Sequence, residues 1–220
     1  MATYLLLHGA GSDAWYWHRV VPLLEARGHD VVAPDLPCDD DSAGFEEYAD
    51  VAVAAAGHRS HLVVVAQSLA GFTAPIVCVQ LPVDLLVLLA AMVPAPGERA
   101  GDWWAATRWE DDHGPMAEPF DPVTEFFHDV PDDITAQAMA ATPRRQSDRP
   151  FEEPWPLASW PDVPTRFLLC RDDRFFPAAF QRRVVQERLG LVPDEIDGGH
   201  LVALSRPEEL VDRLEALRVS

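Results

Sequence analysis

Four short runs of consecutive apolar residues, Thr3–Leu7, Val31–Ala33, Leu62–Ala66 and Leu85–Ala91, lie in the first half of the chain. A strand with one wet face alternates polar with apolar residues; these runs do not alternate, so both of their faces must be covered. Helical patterns separate them, at Trp15–Arg27, Phe45–Gly57 and Leu69–Leu81, the last carrying Pro75 in its interior. Strands covered on both faces and spaced by helices predict an α/β fold, a doubly wound and mostly parallel sheet.

The rhythm breaks after Ala91. From about Pro94 to Pro161 the chain is rich in Pro, Asp, Glu and Trp, with modest helical patterns at Pro122–His128 and Asp132–Ala141. It then resumes: a strand at Arg166–Cys170, a helix at Ala178–Leu189, a short strand at Glu195–Ile196 and a final amphipathic helix. A capping-box spacing from Ser205 to Glu208 is expected to open that last helix. The reading is one core, residues 1–95 and 162–220, interrupted by a mainly helical cap over residues 96–161. At 220 residues the chain is long enough for such a domain.

Composition excludes several classes. There are 36 acidic against 17 basic residues, a net charge of −19, and such a surface repels phosphate backbones and anionic lipid. Neither nucleic acid nor a membrane is expected as a partner, and a homodimer is left open. Cys38, Cys78 and Cys170 are odd in number and lack metal-type spacing, so no disulfide framework, metal site or cofactor is expected. The N-terminal residues enter a strand at once, without the basic and apolar regions of a signal peptide, which points to the cytoplasm.

The candidate chemistry sits where strands end. AQSLAG, residues 66–71, follows the third strand and precedes a helix. A nucleophile elbow lifts a serine out of the sheet at such a turn, and its crowding demands small residues two before and two after the nucleophile. Ala66 and Ala70 meet that size requirement around Ser68, although the strict G-x-S-x-G pattern fails. Asp172 and Asp173 follow the strand ending at Cys170, where an acid that orients a histidine belongs. His200 lies in the Gly198-Gly199 loop before the last helix. The order Ser, Asp, His is that of α/β-hydrolases. His8-Gly9-Ala10-Gly11 follows the first strand, where a loop supplies an oxyanion-hole N–H. Ala10 is the candidate donor, Leu69 its partner after the nucleophile, and Gly9 allows close approach.

These residues resemble the α/β-hydrolase group that contains plant methylesterases and hydroxynitrile lyases. HGAGSDAWYWHRVVPLLEARGHDVVAPDLP is similar to that group's opening, AQSLAG to its elbow, and LLCRDDRFFPAAFQRR with GGHLVALSRPEEL to its ending. In the group the triad acid stands a few residues before a proline, which favours Asp173 over Asp172. The lyases carry threonine after the first-strand histidine and lysine after the catalytic one; here those positions are Gly9 and Leu201. The resemblance therefore implies an esterase, a serine hydrolase of small carboxylic esters, methyl or alkyl, with Ser68, Asp173 and His200 as triad. The alternatives are a carbon–carbon lyase reusing the triad and a non-catalytic small-molecule receptor. The Asp-Leu-Pro loop departs from the group, continuing with Cys38 and Asp39–Asp41 where glycine is usual. Gly9, Trp103, Trp104, Trp109 and Leu201 are the candidate substrate-pocket residues. His113 and His128 show no partner pattern, His8 is read as pinning the oxyanion loop, and Glu110–Asp112 as a solvated face.

Overall fold

The computed structural model describes residues 1–116, 119–142 and 144–219. In chain order its elements are β1 (Thr3–Leu7), α1 (Val21–Ala26), β2 (Asp30–Val32), α2 (Phe45–Ala56), β3 (Leu62–Gln67), α3 (Ala70–Gln80) and β4 (Val83–Leu89). Then come five short helices, α4 (Trp103–Ala106), α5 (Trp109–His113), α6 (Pro122–Phe126), α7 (Asp132–Ala140) and α8 (Arg149–Glu152). β5 (Thr165–Cys170), α9 (Ala178–Leu189), β6 (Asp194–Ile196), α10 (Val202–Ser205) and α11 (Pro207–Val219) complete the chain. The six strands form one sheet in the order β2-β1-β3-β4-β5-β6, and every pairing is parallel.

Successive side chains of a strand point to opposite faces, and the central strands β1, β3 and β4 feed two cores. Leu5, Leu7, Val64, Ala66, Leu86 and Leu88 pack on the side of α2, α3 and α9. Tyr4, Leu6, Val63, Val65, Val87 and Leu89 pack on the side of α10 and α11. Continuous apolar runs are the consequence, because neither face meets water.

Two local expectations change. The single helix over Trp15–Arg27 is a 3₁₀ turn, Ala14–Trp17, followed by α1. Pro22 has no N–H to continue an earlier helix and is seated in the first turn of α1 instead. The capping box at Ser205 does not form: α11 starts at Pro207 and Ser205 closes α10, its Oγ buried without a partner. Proline at a first helical position replaces the serine cap, because its missing N–H is one the helix would leave unpaired anyway. Pro75 sits inside α3 without ending it.

The stretch between β4 and β5 is joined to the core rather than laid over it. Trp103 and Trp155 are both fully buried in the cluster that contains α2 and α3 residues. Trp155 Nε1 donates to Phe72 O at 2.9 Å and Trp160 Nε1 to Pro94 O at 3.0 Å.

Candidate active site

β3 ends at Gln67, and the chain must reverse at once to start α3. Ser68 makes that turn in the left-handed region, φ +54°, which costs a residue with a Cβ about 1–2 kcal/mol. Neighbouring hydrogen bonds hold it there. Ser68 N–H donates to Leu89 O at 3.3 Å, and Ser68 O accepts from Gly71 N–H at 3.1 Å and Met92 N–H at 2.9 Å. A Cβ on Gly71 would lie 1.9 Å from Met92 O, so that residue has no substitute. Ala66 and Ala70 are both buried; the turn accepts a methyl group at each.

His200 Nε2 faces Ser68 Oγ at 3.1 Å, and its Nδ1 faces Asp173 Oδ2 at 2.8 Å. The serine hydroxyl then donates to Nε2 while Nδ1–H donates to the carboxylate, the tautomer this network assigns. Asp173 is 4% exposed and His200 3%, so water competes with neither bond. The second Asp173 oxygen accepts from Phe176 N–H at 2.8 Å. Phe126, Phe175 and Phe176 surround the imidazole, with ring centroids 5.4, 5.5 and 5.2 Å away. Asp172 does different work: its Oδ2 accepts from Gly198 N–H at 3.0 Å, tying the β5 loop to the histidine loop.

Residues with no motif complete that loop's support. Gln67 Nε2 donates to His200 O at 3.2 Å. Asp129 Oδ2 accepts from Gly199 N–H at 2.8 Å, and a Cβ on Gly199 would lie 2.6 Å from His128 Nε2. Nothing in the sequence marks Gln67 or Asp129, since a lone amide or acid has no spacing to read.

On the opposite side, His8 clasps two loops. Its Nδ1 donates to Gly9 O at 2.9 Å, and its Nε2 accepts from Leu36 N–H at 2.9 Å. Burial pushes this imidazole below its ordinary value, keeping it neutral. A trans peptide points its C=O and N–H in opposite directions, so holding Gly9 O directs the Ala10 N–H the other way. A Cβ on Gly9 would lie 2.4 Å from Gln67 Oε1 and 2.9 Å from Ser68 Cβ; glycine is needed for the loop to approach the elbow. Asp35 accepts from Ala14 N–H at 2.7 Å, a strand-end loop contact.

A cavity of about 630 Å³ opens over these groups, with Ser68, His200, Ala10, Leu69, Trp104 and Leu201 in its wall. Three of the five expected pocket residues lie elsewhere. Trp103 is fully buried, its Nε1 on Val93 O at 3.0 Å, and Trp109 has its Nε1 on Phe175 O at 2.7 Å. Each indole N–H finds a main-chain carbonyl, and the rings fill core. Gly9 backs the elbow instead. The wall is completed by Phe126, Phe175, Trp15, Tyr16, Phe151 and Met139, which sequence reasoning did not single out. His113 is partnered after all, stacked on Trp109 and 2.9 Å from Glu125. Asp112, of the acidic run, pairs with Arg183. Among the described residues no cluster of His, Cys, Asp or Glu is arranged to hold a metal ion, and no helix is long and apolar enough to cross a membrane.

An all-parallel sheet that delivers a serine, an acid and a histidine from the C-terminal ends of three strands has the architecture of an α/β hydrolase. The alpha/beta hydrolase family matches the chain over residues 4–213, and the chain belongs to that family. It is 29% identical over 248 aligned positions to the probable esterase PIR7A of Oryza sativa subsp. indica, covering 96% of this chain and 94% of that one. It is 23% identical to methylesterase 9 of Arabidopsis thaliana, covering 97% of each. Among solved structures it is similar to a pyrethroid hydrolase from Sphingobium faniae JZ-2, with a TM-score of 0.77 and 25% identity over 100% of this chain and 98% of that one.

Proposed function

We propose that this hydrolase cleaves small, uncharged carboxylic esters through an acyl-enzyme formed on Ser68. The observation that carries the reading is the unbroken line from Asp173 through His200 to Ser68 Oγ, at 2.8 and 3.1 Å, ending in the floor of a cavity. Ser68 Oγ attacks the ester carbonyl carbon while His200 Nε2 takes its proton. Asp173 holds the imidazole in the required tautomer and stabilises its positive charge. The N–H groups of Ala10 and Leu69 receive the oxyanion; losing one such donor costs about 2.7–4 kcal/mol of barrier. The protonated histidine passes its proton to the leaving alcohol. Water, deprotonated by the same histidine, then attacks the acyl carbon and frees Ser68.

The cavity's chemistry supports an uncharged ester with apolar or aromatic substituents. Its wall is mainly aromatic and aliphatic, with Leu201 directly after the histidine. Arg144, the cation in that wall among the described residues, is already committed to Ser12 O, Leu36 O and the Asp39 carboxylate. A substrate carboxylate would find no free counter-charge there and would lose its hydration. The named activities of the esterase and methylesterase relatives agree with this class. Three buried free thiols, Cys38, Cys78 and Cys170, suit the reducing cytoplasm we assign it.

Hydrolysis of p-nitrophenyl esters of graded chain length tests the reading. Wild type turns them over, and Ser68→Ala lowers kcat by roughly 10⁴-fold or more. Absent turnover in wild type, or unchanged turnover in Ser68→Ala, refutes it.

A further inference from the structure

Residues 144–147, between α7 and α8, take no part in the proposed chemistry, yet they lie across the loop that carries Ala10. Gln146 Oε1 accepts from Gly11 N–H at 3.1 Å, and Arg144 Nη1 donates to Ser12 O at 3.1 Å. Gly11 has φ +59°, and a Cβ there would sit 3.3 Å from Arg144 O, so the two backbones meet with little space between them. Gln146 is itself fixed, its Nε2 donating to Tyr48 Oη and Ser147 O, each at 3.1 Å.

The same segment is fastened to the loop after β2. Arg144 Nη2 reaches Leu36 O at 3.1 Å and Asp39 at 2.9 Å. Arg145 reaches Asp41 at 2.6 Å and Asp39 O at 2.8 Å, and Ser147 N–H donates to Cys38 O at 2.6 Å. Asp39 and Asp41, of the run that departs from the plant group's pattern, thus find counter-charges in Arg144 and Arg145. Leu36 is also the residue whose N–H holds His8. Oxyanion loop, acidic loop and cap segment form one clasp.

Peptide planarity gives the clasp a consequence for chemistry. His8 sets the Gly9–Ala10 peptide by its carbonyl; the next peptide, Ala10–Gly11, is set by its N–H on Gln146. With both planes fixed, the φ and ψ of Ala10 have no freedom left, and its N–H keeps one direction. We infer that Gln146 is a positioning residue for the oxyanion hole, braced by Arg144, so that the cap segment orients a catalytic N–H as well as walling the cavity. This rests on the oxyanion role proposed for Ala10.

The effect belongs to the transition state, where the oxyanion forms, more than to substrate binding. In Gln146→Ala and in the size-conserving Gln146→Met, kcat for p-nitrophenyl butyrate should fall roughly ten- to a hundredfold, a part of what deleting an oxyanion donor costs. KM should stay within about twofold. The inhibition constant of an aryl trifluoromethyl ketone, which adds to serine as an oxyanion, should rise in step with the loss in kcat. Amide hydrogen exchange over residues 9–13 should quicken in both variants while that of β3 and β4 is unchanged. Unchanged ketone affinity, or a loss confined to KM, overturns the positioning role. Unchanged exchange overturns the hold itself. Exchange needs no turnover, so it decides the hold even if wild type proves inactive or Ser68→Ala retains turnover, outcomes that would refute the esterase reading separately.

Discussion

Ser68 occupies a backbone conformation a serine would not choose, and the hydrogen bonds from Gly71, Met92 and to Leu89 are what keep it there. Two neighbouring aspartates show how finely position divides labour at this scale. Asp173 reaches His200 Nδ1 whereas Asp172 caps the Gly198 amide. Asp173→Asn should therefore lower kcat about 10³- to 10⁴-fold by favouring the wrong tautomer. Asp172→Asn keeps an oxygen for Gly198 N–H and should cost about tenfold or less; the reverse ranking in steady-state kinetics would exchange their roles. His8 yields a pH prediction. Burial lowers its folded pKa below the ordinary 6.5, so in that range the unfolded chain binds more protons than the folded one. Its contribution to stability is complete above about pH 6.5 and declines as pH falls below that value towards the folded pKa. Urea midpoints measured down to about pH 5 should fall more steeply for wild type than for His8→Gln; parallel profiles would count against it.

The elements repeat this lesson at the turn between β3 and α3. A strict pattern would ask for glycine at 66 and 70, yet the position with no room is Gly71, packed on Met92 O after β4. Gly71→Ala should destabilise the protein by about 3 kcal/mol or more and slow fluorophosphonate labelling of Ser68. Ala70→Gly, which restores half of the strict pattern, should cost only about 1 kcal/mol of helix propensity. Equal effects of the two on the melting temperature would contradict this geometry. AQSLAG, HGAG and GGH were legible because each turn's demand falls on adjacent residues. The cap's rings were not: Trp103, Trp104 and Trp109 look alike in sequence, and only the carbonyls that Trp103 and Trp109 reach separate buried rings from the exposed wall. Ser205 misled for a related reason, since a capping-box spacing competes with a proline two residues on.

Across the whole molecule, the stretch between β4 and β5 reads in sequence as an insertion, while Trp103 and Trp155 bury themselves in the core of the sheet. Trp155 donates to Phe72 O in α3, the helix that follows Ser68. The molecule should therefore unfold as one unit. Tryptophan fluorescence, dominated by Trp103, Trp104, Trp109, Trp155 and Trp160 of this stretch, should give the same thermal midpoint as far-ultraviolet circular dichroism. An earlier fluorescence transition would mean that the stretch folds separately. Sequence alone determined the parallel sheet and the strand ends that carry Ser68, the Asp172–Asp173 pair, His200 and Ala10, because alternation of faces and turn crowding act over a few residues. Tertiary structure decided which aspartate meets the histidine, which rings wall the cavity, and that Gln146, Asp129 and Gln67 brace the loops carrying Ala10 and His200. Those contacts join residues tens to more than a hundred positions apart, and no local spacing encodes them.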